Sequence, residues 1–297
     1  MKDTVSVEAV FPRKNITVSP SAVPQWFTLP HLFLYGAGTV ILLIVLGTIA
    51  PQWLAPYSPT EMRPDWILQP PSSTNWMGTD YFGRDVLSVI IYGSRDSLLI
   101  GVASVLIGGL TGGLIGSVSG YVGGVVDAIL MRLIDILMTI PSVLLALAIA
   151  AALGPSLFNV VLAVSVAEIP RFARVMRSQV ISVKNRSFIT ASRSIGTPHL
   201  HIFLRHVLPN SLSPFLVMST IGVGSSILIG SGLSFLGLGV LREIPDWGNL
   251  LSQGRGYLTV AWWIATFPGL AITLFVLSVN LLGDKLRDTL DPKSSRA

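Results

Sequence analysis

The chain contains no cysteine, which excludes a disulfide framework and any thiolate metal or redox chemistry. Charge is scarce: 12% of the 297 residues are charged and 51% are hydrophobic, with a mean hydropathy of +0.68. A soluble domain of this length could not carry that composition on its surface, so the sequence reads as a membrane protein. The dipeptide Gly-Lys occurs nowhere, so there is no GxxxxGK(S/T) loop to cradle nucleotide phosphates, and the chain has no means of using ATP itself. The first thirty residues lack an apolar run. They are polar and broken by proline, and the run that follows starts too late and is too long for a cleaved signal peptide.

What is present are charge-free stretches at 15 to 60 (apolar near 32 to 50), 97 to 126, 136 to 167, 206 to 241 and 256 to 283. A bilayer-crossing helix needs roughly 20 apolar residues. Gly154-Pro155-Ser156 breaks the third stretch into a hairpin, so six spans are predicted. The expected organisation is a tail over 1–30, a first span over 31–50 and an external loop over 51–96. A core of five spans over 97–283 and a C-terminal tail over 284–297 follow. With six spans, both termini share a side with the 170–213 segment. That side carries 15 of the 20 Lys and Arg residues, which places it in the cytoplasm. The net charge of +5 therefore follows membrane sidedness, and a nucleic-acid partner is not expected.

Ser104, Gly108, Gly112, Gly116 and Gly120 form a ladder of small residues four apart. Such ladders let helix backbones approach closely inside lipid, where packing holds helices together. In the external loop, Asp85 is suited to cap a helix whose Val86, Leu87, Val89, Ile90 and Ile91 are expected to lie along the outer membrane surface before the second span begins.

The 170–213 segment, with seven Lys and Arg residues, is the odd one in so oily a chain. Ser187 is a plausible N-cap for a helix through Ile195, and Gly196 suits the left-handed position that ends helices. Thr197-Pro198 then restarts a helix, which Leu208-Pro209-Asn210 closes or kinks toward the next span. The result is a compact basic elbow, shaped like a docking surface.

Thr190-Ala191-Ser192, then Gly196, then His206 and Leu208-Pro209, follow the spacing of the EAA motif of ABC importer permeases. RHVLPN (205–210), GTDYFGRDVLS (78–88), LSFLGLGV (233–240), PDWGNLLSQGR (245–255) and NLLGDKLRDTLDPK (280–293) resemble the dipeptide, oligopeptide and nickel branch of that family. The resemblance runs from residue 78 to the C-terminus. It implies an all-α fold of the type I ABC importer permease kind, with no catalytic residue and no metal or cofactor on this chain. ATP and Mg would be bound by two cytoplasmic ATPase subunits. Further implied partners are a homologous second permease and an external solute-binding protein. The elbow becomes a coupling helix, formed by Ile189, Thr190, Ala191, Ser192, Arg193, Ile195, Gly196, Thr197, Pro198 and Leu200. The motif's glutamate is Thr190 here and its second alanine is Ser192. Arg193 is then the candidate for an ion pair with the ATPase, and Ile189, Ile195 and Leu200 are the candidate apolar anchors.

Ionisable groups near a membrane carry a functional prior because charge is costly in lipid. Asp127, Arg132 and Asp135 are expected to flank the inner mouth, with Arg132 and Asp135 spaced as an i, i+3 ion pair. Glu168 is expected at the inner end of the fourth span beside Arg171. Pro141 is placed to break the third span. The alternative to an importer subunit is an ion-driven secondary transporter, which calls for a carboxylate or broken helix at mid-membrane depth, and the sequence shows no charge deep in a clear span. A membrane enzyme using His199, His201 and His206 as metal ligands is a weaker alternative, because residues two apart in a helix face different ways.

Overall fold

The computed structural model describes residues 29–240 and 242–290 and is built of helices joined by turns and one longer irregular segment over 55–85. Residues 1–28 of the predicted tail over 1–30, and residues 291–297 of the predicted C-terminal tail, lie outside the described residues. Helix α1 (Leu29–Ile49) and the short α2 (Pro51–Leu54) lead into an irregular segment. Five larger helices follow it: α3 (Val86–Val122), α4 (Gly124–Met138), α5 (Ser142–Leu153), α6 (Leu157–Lys184) and α9 (Leu208–Phe235). Between α6 and α9 lie the short α7 (Ser187–Ser194) and α8 (His199–Ile202), and after them α10 (Trp247–Gly254) and α11 (Trp263–Leu290).

Among the described residues, three helices are long and apolar enough to cross a membrane: Val86–Val122, His199–Phe235 and Trp263–Thr289. The pair α4 and α5, bent by 84° at a short break, makes a fourth if counted as one span. Of the other two expected spans, α1 is a shorter apolar helix over Phe33–Ile49. Helix α6 is long enough but carries Glu168, Arg171, Arg174, Arg177 and Lys184. The expected hairpin turn is present, with Gly154 at φ +84° between α5 and α6.

Helices α3 and α6 form the most extensive pairing in the molecule, and the small-residue ladder is its seam. A Cβ built at Gly108 would sit 2.6 Å from the Ser165 carbonyl oxygen, at Gly112 2.5 Å from that of Ile169, and at Gly116 2.2 Å from that of Ala173. Ser104 donates to the Val161 carbonyl across the same seam at 3.2 Å. The two backbones are in contact, which only glycine allows here.

The separate surface helix expected after Asp85 is not formed. Asp85 does cap a helix, accepting from the Ser88 N–H at 2.9 Å, but that helix is α3 itself, continuous to Val122. Val86, Val89 and Ile90 are buried in a cluster with Trp247, Trp263 and Ile264. They face protein because α10 and the start of α11 pack on them, and the helix continues past the charges at 95 and 96, where Asp96 pairs with Arg242 at 2.9 Å.

Candidate coupling elbow and membrane-depth carboxylate

The elbow begins one residue earlier than its sequence signals imply. Arg186 is the N-cap of α7 and makes no side-chain cap, so Ser187 is the first helical residue. The exit is as expected. Gly196 takes φ +84°, its N–H donates to the Arg193 carbonyl at 2.9 Å, and the Thr197 N–H donates to the Ser192 carbonyl at 3.2 Å. This pair of bonds is the Schellman closure, which satisfies carbonyls left over at a helix end. Pro198, not Thr197, is the N-cap of α8. From α8 the chain does not break at Pro209. A π turn over Phe203–Val207 accommodates the missing proline N–H and the ring's clash with the preceding turn, so residues 199 to 235 run on as one helix.

Ile189 is fully buried among Met176, Val180, Val183, Ile202 and Val207. It therefore anchors the elbow to its own bundle, and the expectation that it meets a partner is corrected. Tyr121, near the end of α3, locks the far arm by donating to the His199 carbonyl at 2.7 Å and packing its ring 4.8 Å from Phe203. Facing outward are Ile195 (83% exposed), Leu200 (68%), Leu204 (54%) and Phe188 (40%). Thr190, Ala191, Arg193 and Pro198 are exposed beside them, while Ser192 and Thr197 are half-buried. An apolar patch with a basic rim, carried on a rigid turn, is the geometry of a docking knuckle. Phe188 and Leu204 were missed in the sequence because a short amphipathic helix does not reveal which face its own protein covers.

The charges beside the elbow pair across helices, not along them. Asp127 on α4 is held by both Arg177 nitrogens on α6, each at 2.6 Å. Asp135 pairs with Arg174 at 2.6 Å, so the expected partner Arg132 is replaced, and Arg132 is exposed. These two pairs tie α4 to α6 where apolar packing is thin, since Ile134 is the one buried residue of α4.

Glu168 is not at an inner end. Its Cβ lies beside the position a Gly108 Cβ would take, at 3.2 Å, and Gly108 is about 21 Å along α3 from Val122 at 1.5 Å per residue. With about 30 Å of hydrocarbon to cross, that is well inside the membrane. The side chain is 4% exposed. Ser225 on α9 donates to its Oε1 at 3.3 Å, Arg171 lies 4.0 Å from Oε2, and Oε2 has no hydrogen-bond partner. It borders a cavity of about 330 Å³ shared with Met138, Ile140 and Pro141. Pro141 is the N-cap of α5 at the 84° break, so its placement as a helix breaker agrees with the structure. The expectation that no charge lies deep in the membrane is corrected by Glu168. Among the described residues no group of three or more His, Asp or Glu side chains could hold a metal ion.

A buried knot, unread in the sequence, holds the loop against α3. Asp80 accepts from Arg84 Nε at 2.7 Å and from the N–H groups of Phe82 and Arg84 at 2.8 and 2.9 Å. Arg84 also donates to the Glu243 carbonyl at 3.0 Å, and Trp263 donates to the Thr79 carbonyl at 3.0 Å.

Comparison with known proteins places this geometry. Residues 112–296 match the family described as binding-protein-dependent transport system inner membrane component. The chain is 44% identical to the di/tripeptide transport system permease protein DppC of Pseudomonas aeruginosa (strain UCBPP-PA14), over 86% of this chain and 87% of that one. It is 42% identical to the probable D,D-dipeptide transport system permease protein DdpC of Escherichia coli (strain K12), over 87% of each. It is also 42% identical to the glutathione transport system permease protein GsiD of Escherichia coli O1:K1 / APEC, over 90% of this chain and 88% of that one. Among solved structures, an inward-facing form of the MetNI methionine ABC transporter aligns with a TM-score of 0.54 at 19% identity. The alignment covers 68% of this chain and 96% of that one, and it shares the fold. With a glycine-closed elbow at one end of a helical bundle, and with these relatives along most of its length, the chain belongs to the binding-protein-dependent transport system inner membrane components.

Proposed function

We propose that the chain is the permease subunit of an ATP-driven importer of short peptides, forming half of the translocation pathway beside a homologous second permease. The observation that carries this reading is the 44% identity, over 86% of the chain, to a permease named for di- and tripeptides. The other two relatives are named for a D,D-dipeptide and for glutathione. Two ATPase subunits, holding ATP and Mg, dock on the elbows of the two permeases, and an external binding protein delivers cargo. The chain is non-catalytic and lies in the inner membrane with both termini and the elbow in the cytoplasm, a sidedness supported by the distribution of Lys and Arg. Driving a pathway from 1:99 to 99:1 requires about 5.5 kcal/mol, a demand suited to nucleotide binding and beyond any exposed ion pair at Arg193.

The test is uptake of labelled di- and tripeptides into liposomes holding the full set of subunits. ATP-dependent uptake that is lost when the ATPases are omitted is expected. Uptake by this chain alone, driven by a proton or sodium gradient, would instead establish the ion-driven alternative, which no comparison supports.

Gly196→Val probes the elbow separately. Nothing lies within 4 Å of a Cβ at this glycine, so the substitution acts through φ alone, at about 1–2 kcal/mol. The subunit should insert normally, while ATPase co-purification and uptake fall about five- to thirty-fold. Wild-type association and uptake would remove the elbow from the coupling step.

A further inference from the structure

We infer that Glu168 and Ser225 form a binding subsite for the cargo's primary ammonium, the group that every peptide carries at its N-terminus. The inference rests on the proposed peptide cargo.

Two independent observations meet at this place. Glu168 Oε2 is buried without a hydrogen-bond donor, although Ser225 serves Oε1. A carboxylate oxygen left bare at membrane depth is expensive unless something supplies donors to it. The nearest cation is Arg171, which stands 4.0 Å away and is 45% exposed, too far to donate. The second observation is the cavity that Glu168 and Ser225 border at the break between α4 and α5. The chain bends by 84° beside the same cavity, and the Ile136 and Leu137 carbonyls at the end of α4 are taken by the Thr139 and Ile140 N–H groups, which leaves the Glu168 oxygen as the unserved acceptor there. An ammonium brings three donors, and Glu168 Oε2 and the Ser225 hydroxyl oxygen are acceptors on the wall of that cavity.

The recognised group is common to all peptides, so the subsite reads the backbone and leaves side chains unread. The cavity of about 330 Å³ is bordered by Ile140, Pro141 and Leu145 on its apolar side and by Arg171 on the other, so side chains are accommodated against the first and a peptide's carboxylate against the second. Helices α4 and α5 also present Ile136, Val143 and Leu144 outward, so the cavity lies along a surface still to be covered by another chain or by lipid.

The test uses the complete importer, reconstituted with its companion permease, ATPases and binding protein. Uptake of alanyl-alanine, trialanine and glutathione is measured against ATP hydrolysed in the same vesicles. Alanyl-alanine and trialanine carry an ammonium only at the N-terminus, so a response with them assigns the effect to that group and not to a lysine side chain. Glu168→Gln keeps the shape and removes the charge. It is expected to lower uptake per ATP at least about ten-fold, with Glu168→Asp recovering part of the loss. Ser225→Ala should act in the same direction, more weakly. Uptake per ATP within two-fold of wild type, in whichever of the Gln and Ala variants assembles, overturns the subsite. If the wild-type importer takes up none of the three peptides, the cargo reading fails instead.

Discussion

Gly116→Val should prevent the subunit from accumulating as an assembled membrane protein. The first added atom would lie 2.2 Å from the Ala173 carbonyl oxygen and 2.9 Å from its carbon. Those are backbone atoms of α6, so no rotamer change relieves the clash, and the helices must separate. Separation here also opens the contacts at Gly112 and Gly120, whose Cβ positions lie 2.5 Å from the Ile169 carbonyl oxygen and 2.8 Å from that of Arg177. Overpacking of this kind costs about 3 kcal/mol, and more where the strain is spread along a seam. The control is Gly232→Val in α9, where nothing lies within 4 Å. Valine exceeds glycine in helix propensity, so that variant should accumulate at the wild-type level. Thermal denaturation in detergent, read by loss of the monodisperse peak, checks both.

Asp80→Ala is expected to be at least as damaging. Asp80 and Arg84 are 1% and 3% exposed, and removing the carboxylate strands the guanidinium in the protein with only the Glu243 carbonyl to serve it. Breaking a buried pair by deleting one partner costs about 3–5 kcal/mol. The two N–H groups of residues 82 and 84 lose their acceptor as well. A double replacement, Asp80→Ala with Arg84→Met, should recover much of the loss, because no unpaired charge then remains. A denaturation midpoint for Asp80→Ala equal to wild type, or a double variant worse than the single, would show that the knot does not hold the loop.

The helix ladder was legible because its signal is local. Small residues four apart lie on one face of any helix, and only their partner, α6, had to come from the structure. Gly196 was legible for a similar reason: a positive φ is a property of the residue itself. The corrected readings all depended on a distant group. The charges at 95 and 96 signal the start of a span in sequence, but Arg242, 146 residues away from Asp96, pairs with it and the helix runs through. Asp135 had a plausible neighbour in Arg132, yet Arg174 of another helix reaches it. Ile189 belongs to an apolar face that either the bundle or a partner could cover, and periodicity does not distinguish them. The depth of Glu168 was hidden because α6 runs on for many residues past its purely apolar part, to Lys184, so the end of the hydrophobic run is not the end of the membrane-spanning helix.

The elbow's role couples these features, since the ladder joins α3 to α6, α6 leads into α7, and Ile189 ties α7 back to α6. Under the proposed docking role, this packing is the route by which work at the exposed face of the knuckle would reach the seam between α3 and α6.

The most direct measurement exploits the absence of cysteine. A single Ser194→Cys, at an exposed position of α7, is treated with a membrane-impermeant maleimide. Labelling is predicted in inside-out vesicles stripped of ATPase subunits, protection when those subunits are added back, and no reaction from outside intact cells. Labelling of intact cells from outside, or unchanged labelling in the presence of the ATPases, would contradict the assignment of this elbow as the point where ATP-derived work enters the chain.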